Sequence, residues 1–236
     1  MKLSKLYITI IITLLMASSC SDSILDREEL DVVPATQVLN TLDGVEAILF
    51  QVYQDGRSVH QNTEISLYKQ CGTDLAKAGT HMTDVSEGGM RGMMTYSGGL
   101  AAISDQITEI WDKFYGAIDK CNLVIQAAEN FETSSASEEA QLTRFKGAAL
   151  VMRATMYLEL VRRFENIPIA EPLPEGEPPR TQAPLSDKSA IYEIIINDAA
   201  QAIGLLPTRA ESGTVGLPSK GLANMVLAEA YLDLGD

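Results

Sequence analysis

The chain has 236 residues and a formal charge of −14 at pH 7, from 32 acidic against 18 basic side chains. A surface this acidic repels phosphate backbones and anionic lipid headgroups, which argues against nucleic acid as a partner and against electrostatic adhesion to a membrane. His60 and His81 are the only histidines and the cysteines number three, so a multi-histidine zinc site, an HExxH helix and a disulfide framework are excluded.

Lys2 and Lys5 precede an apolar run from Leu6 to Met16, and Ala17-Ser18-Ser19 lead into Cys20. That order is a secretory signal peptide, and its run is shorter than the roughly 20 residues a bilayer span needs. A cysteine directly after small residues at the cleavage point resembles the lipobox of bacterial lipoproteins, with Ala17 where leucine is usual. The resemblance implies that residues 1–19 are removed and that Cys20 carries diacylglycerol plus an amide-linked acyl chain. Two chains anchor stably where one is marginal. A soluble secreted protein with an incidental Cys20 is the other reading. Loss of Lys2 and Lys5 with the leader takes the formal charge from −14 to −16. Residues 20–35, with Asp22, Asp26, Glu28, Glu29 and Asp31, read as an acidic tether, and residues 36–236 as one helical domain. Of the remaining cysteines, Cys71 and Cys121, buried free thiols are favoured over a disulfide.

Leu42, Val45, Ile48, Leu49, Val52 and Tyr53 follow the i, i+3, i+4, i+7 spacing of an amphipathic helix from Thr41 to Gln54, with Asp55-Gly56 as its stop. Seven glycines between Gly72 and Gly99 predict a loop. Ser104 is expected to cap a helix to about Asn130, with Ile107, Ile110, Trp111, Phe114, Ile118, Cys121 and Ile125 on one stripe. Ser135-Ala-Ser-Glu138 resembles a capping box and opens a helix through about Phe164. Six of the nine prolines fall between Phe164 and Pro184, so that stretch is extended. Ser186 to Leu206 is the next helix, stopped by Pro207, and Lys220 to Leu234 the last. The pattern predicts an all-α, tetratricopeptide-like array of antiparallel helix pairs with long irregular loops. Leu222, Met225, Val226, Ala230, Tyr231 and Leu234 have no following helix to cover them, which points to a truncated array. Packing back on earlier helices is the alternative.

Several segments in order resemble SusD/RagB outer-membrane lipoproteins. Trp111-Asp-Lys-Phe-Tyr115 with Ile118 and Asn122 is similar to the family's W-x-x-x-Y-x-x-I-x-x-x-N helix. Arg153-Ala154 with Tyr157 and Leu160 resembles R-A-x-x-Y-x-x-L, and Phe164-Glu-Asn-Ile167-Pro168-Ile169 resembles F-G-x-[IV]-P-[LI], with Glu165 where glycine is usual. Ile191 to Pro207, then Ser219 to Leu232, look like the next two family helices. The likeness runs from the lipobox to the last residue but covers about the N-terminal half of a typical member. It implies a surface-exposed lipoprotein of the outer membrane that binds glycan or other nutrient oligomers. Such a protein passes its ligand to a SusC-like TonB-dependent transporter without chemistry, and no cofactor is implied.

The residues bear on this in their own right. Trp111, Tyr115, Asn122 and Arg153 are read as packing and satisfying neighbours inside the array rather than as ligand contacts. Ligand contact is expected from the glycine-rich loop, where Asp74, His81, Arg91 and Tyr96 are the candidates: pyranose faces stack on aromatic rings, and hydroxyls need fixed polar partners. Met82, Met90, Met93 and Met94 offer an adaptable apolar surface there. No G-x-S-x-G elbow, P-loop or G-x-G-x-x-G is present, so an enzyme is not expected, nor a metal site. The competing reading is a lipid-anchored helical-repeat scaffold that binds a protein partner.

Overall fold

The structure, a computed structural model, describes residues 38–61, 73–74, 105–172, 183–213 and 216–235. All of them lie within one unit, Thr36–Asp236. The expectations placed on the leader, Cys20, the acidic tether, Cys71 and most of the glycine-rich loop fall outside the described residues. Every regular element described is helical: α1 (Leu42–Gln61), α2 (Asp105–Asn130), α3 (Ala136–Phe164), α4 (Lys188–Leu205), the single turn α5 (Arg209–Ser212) and α6 (Lys220–Leu234). None is long and apolar enough to cross a membrane.

Helix α3 is the centre of the array. It packs against α2 on one side and α4 on the other, and both α1 and α6 also reach it. Contacts fix the directions. Glu129 near the end of α2 pairs with Lys146 early in α3 at 2.7 Å, so these helices run antiparallel. Gly147, also early in α3, sits so close to Leu205 and Leu206 at the end of α4 that an added Cβ would lie 2.9 Å from Leu205. A side chain there would force α3 and α4 apart, and these helices too are antiparallel. The link between them is pinned by one antiparallel bridge, where the Ser186 amide donates to the Ile167 carbonyl at 3.0 Å.

The expected apolar stripes form the core. Val45, Leu49 and Val52 of α1 are buried, as are Phe114, Ile118 and Cys121 of α2, Leu150, Met156 and Tyr157 of α3, and Ile191, Ile195 and Ala199 of α4. Burying each large side chain is worth about 1.5–3 kcal/mol. Cys121 is a buried free thiol, as expected, and burial holds its pKa far above the ordinary thiol range.

One boundary and one cap differ from the sequence reading. Asp55-Gly56 does not stop α1, which continues to Gln61. Gly56 instead faces α3, where a Cβ would lie 3.1 Å from both Met152 and Met156, so glycine serves a close helix crossing there. Asp55 meets Lys120 of α2 at 2.5 Å. The capping box of α3 is shared by two residues: the Ser135 hydroxyl accepts from the Glu138 amide at 3.3 Å, but the Glu138 carboxylate bonds Ser134. The reciprocal box occurs at α5, where Thr208 and Glu211 satisfy each other.

The last helix packs back through Ala223, Val226 and Ala230, while Met225, Tyr231, Leu232 and Leu234 stay exposed. Its far end is held by Arg162 of α3, which donates to Glu229 and Asp233 at 2.6 Å each. The Tyr192 hydroxyl of α4 adds a 2.8 Å bond to Asp233. The Arg162 hydrogen bond holds the Asp233 carboxyl below its ordinary value of 3.8. A lowered folded-state pKa contributes stability above the unfolded value and loses it as pH falls through the folded one. Asp233→Asn should therefore cost at most about 1 kcal/mol at neutral pH. In urea titrations the cost should vanish once the pH drops well below 3.8; a deficit that persists in acid would contradict the latch.

Helix α3 ends in strain. Glu165 has φ 61° and ψ −78°, with its amide bonded to the Val161 carbonyl. Left-handed backbone costs an L-residue about 1–2 kcal/mol, and this γ-turn region is a strained part of it. Glu165→Gly should raise stability by about 1 kcal/mol in denaturant unfolding; unchanged or lower stability would contradict the strain.

Candidate functional site

Three side chains at helical spacing on α2 face the link after α3. Trp111 and Tyr115 are one turn apart with ring centroids at 4.8 Å, and Phe164 at the end of α3 meets Trp111 edge-on at 5.0 Å. The Tyr115 hydroxyl donates to the Pro168 carbonyl at 2.7 Å. Asn122, two turns further along, donates from Nδ2 to the Ala170 carbonyl at 3.0 Å. Tyr157 of α3 accepts from the Ala170 amide at 2.9 Å. Beyond the bridge at Ile167, the Pro168 carbonyl and both backbone groups of Ala170 are satisfied by side chains from α2 and α3, the two helices that flank the link.

Arg153 joins that network to α4. Its Nε and Nη2 donate to Asp198 Oδ2 and Oδ1 at 2.7 and 2.8 Å, and Nη1 donates to Asn122 Oδ1 at 2.7 Å. The Asp198 side chain is 1% exposed. Burial raises the Asp198 pKa, opposed by the hydrogen bonds from Arg153. A two-pronged guanidinium contact in so dry a place keeps the pair ionic. The expectation that Trp111, Tyr115, Asn122 and Arg153 serve packing and satisfaction holds at each position. Asp198 was missed as the partner. It lies at helical spacing with Ile191, Ile195 and Ala202, a lone carboxylate on an apolar stripe, and that is the signal that marks it.

The candidate ligand residues are placed only in part. Asp74 is exposed in a bend, while His81, Arg91 and Tyr96 lie outside the described residues. Among the described residues no group of three His, Cys, Asp or Glu side chains could hold a metal ion. A groove of about 600 Å3 opens between α1, α3 and the turn from α5 into α6. Sequence reasoning did not find it, because it arises where three elements distant in the chain meet.

The sequence profile of the SusD-like family, described as starch-binding and associating with the outer membrane, matches residues 30–232. The chain belongs to that family. A SusD-like protein of Bacteroides ovatus is 27% identical over 223 residues, covering 93% of this chain and 38% of that one. A laminarin-binding SusD-like protein superposes with a TM-score of 0.64 at 26% identity, over 81% of this chain and 40% of its own. A SusD homologue from Bacteroides thetaiotaomicron has a TM-score of 0.69 at 20% identity over 89% and 38%, which shows the fold. This SusD-like chain thus spans about two-fifths of the length of the relatives it matches. The all-α, tetratricopeptide-like array matches the superposed part of these structures.

Arg153→Met would leave the Asp198 carboxylate buried without a partner and should cost about 3–5 kcal/mol in urea unfolding. Adding Asp198→Leu should recover most of that loss. A single-variant cost below about 1 kcal/mol would contradict the part given to the pair.

Proposed function

We propose that this protein is a lipid-anchored glycan receptor of the outer membrane, held by Cys20 and facing the cell exterior. Ligand is bound without chemistry and passed to a SusC-like TonB-dependent transporter. The observation that carries the reading is the family match over residues 30–232, whose description is starch-binding and outer-membrane associated. The resemblance of Ala17-Ser18-Ser19-Cys20 to a lipobox supports the anchor.

The helices supply a rigid base, because Arg153, Asn122, Tyr115 and Tyr157 are all spent on holding it together. Ligand contact then falls to the loops it carries, with Asp74, His81, Arg91 and Tyr96 as the contact residues and Tyr96 as the stacking face. A β-glucan is the first ligand to test, since the solved relative at 26% identity is laminarin-binding.

Calorimetric titration with laminarin oligosaccharides should give saturable binding, and Tyr96→Ala should weaken it about tenfold, or 1.4 kcal/mol. Binding that Tyr96→Ala leaves unchanged would remove the loop assignment. No binding of laminarin or starch oligosaccharides by the folded protein would remove the receptor reading.

A further inference from the structure

A shallow crevice opens between α1 and the start of α3, next to the larger groove. Glu46, Leu49, Phe50 and Tyr53 follow the i, i+3, i+4, i+7 spacing and so present one face of α1 to it, while Arg144, Phe145 and Ala148 border it from α3. Leu49 and Ala148 are buried and only form the floor. The surface open to a ligand belongs to Phe50, which is 52% exposed, and to the half-buried Tyr53, Phe145 and Pro218. Phe50 meets Tyr53 edge-on with ring centroids at 5.9 Å, so the two rings form a corner. Every other phenylalanine is buried or half-buried, and Phe50 alone stands open to solvent.

Three polar groups border this corner and are not spent on the fold. Among the described residues, neither the Glu46 carboxylate, the Arg144 guanidinium nor the Tyr53 hydroxyl has a hydrogen-bond or ion-pair partner. Burial raises the Tyr53 pKa far above its ordinary range, so the phenol stays neutral, and Arg144 and Glu46 both lie near enough to act on it with opposite signs. The rim therefore sums to zero charge: the carboxylate accepts, the guanidinium donates, and the phenol does both. That suits an uncharged ligand dense in hydroxyls, whose C–H faces need an aromatic surface. A charged ligand would bring one rim group against its own sign. The space below the rim is only about 40 Å3, far under the roughly 300–1,000 Å3 of sites that enclose a small molecule. An occupant thus lies across the corner rather than inside it. Tyr53, Leu217 and Pro218 also border the larger groove, so the crevice is open at that end and a linear chain can run through.

We infer that the Phe50–Tyr53 corner is a second carbohydrate-contact site, which takes a neutral, linear oligosaccharide. One pyranose stacks on Phe50, and its hydroxyls meet Glu46, Arg144 and the Tyr53 hydroxyl. The inference rests on the glycan-binding reading above and goes beyond it, because the corner belongs to the helical frame and not to the glycine-rich loop.

The test is calorimetry on the full chain with laminarihexaose and maltohexaose. For a hexaose that binds, the wild type should show a stoichiometry of about two and Phe50→Ala a stoichiometry of about one. The site that Phe50→Ala leaves should be the one that Tyr96→Ala weakens. Arg144→Gln should weaken the other about fivefold, and salt should change neither affinity, since the ligand is uncharged. Phe50 and Arg144 are exposed, so helix content by circular dichroism should match the wild type in both variants. A hexaose that binds with a stoichiometry and affinity unchanged by Phe50→Ala and Arg144→Gln would overturn the inference and leave the receptor reading standing. Binding lost in Phe50→Ala but kept in Tyr96→Ala would uphold the corner and remove the loop assignment. No heat with either sugar would remove both readings.

Discussion

Arg153 reaches across the α3–α4 interface to Asp198 with two hydrogen bonds of 2.7 and 2.8 Å, and its remaining contact runs to Asn122 on α2. One guanidinium thereby ties three helices together. Burying a charge is costly unless it is paired and hydrogen-bonded, and that requirement fixes which way α2 and α4 must face α3. The Asn122 amide then has its nitrogen left to hold the Ala170 carbonyl. Tyr157 takes the Ala170 amide, and Tyr115 takes the Pro168 carbonyl. The return of the chain from α3 toward α4 follows from these bonds.

This arrangement separates two kinds of residue that look alike in a sequence. Tryptophan, tyrosine, arginine and asparagine are what a sugar site would use, and α2 and α3 carry all four. Here they face one another and the connector. A rigid helical array leaves recognition to segments whose backbone is not committed to the frame, and to the grooves formed where its elements meet.

The helices and their buried faces were legible because the 3.6-residue period is written in the apolar positions, as in the run from Ile110 to Ile125. The role of Trp111, Tyr115, Asn122 and Arg153 was legible because their spacing put them on faces that the array must bury. Asp55-Gly56 misled, because a glycine that permits a close helix crossing carries the same letter as one that ends a helix. The turn of α5 was passed over although Thr208-Arg-Ala-Glu211 has the capping-box spacing. The pairing of Asp198 with Arg153 was not legible because the two lie 45 positions apart, and no local pattern expresses that distance. The groove depends on the same long-range geometry. Of the candidate ligand residues, Asp74 is exposed and the other three lie outside the described residues.

Trp111 is the single tryptophan of the chain, and it sits between Tyr115 and Phe164 inside the frame. Its fluorescence during a glycan titration, followed alongside the heat of binding, tests most directly whether the aromatic cluster is structure or site. The account predicts a saturable heat with an unchanged tryptophan emission maximum and intensity. A quench or shift that saturates with the heat would put the glycan on the Trp111 cluster and contradict the account.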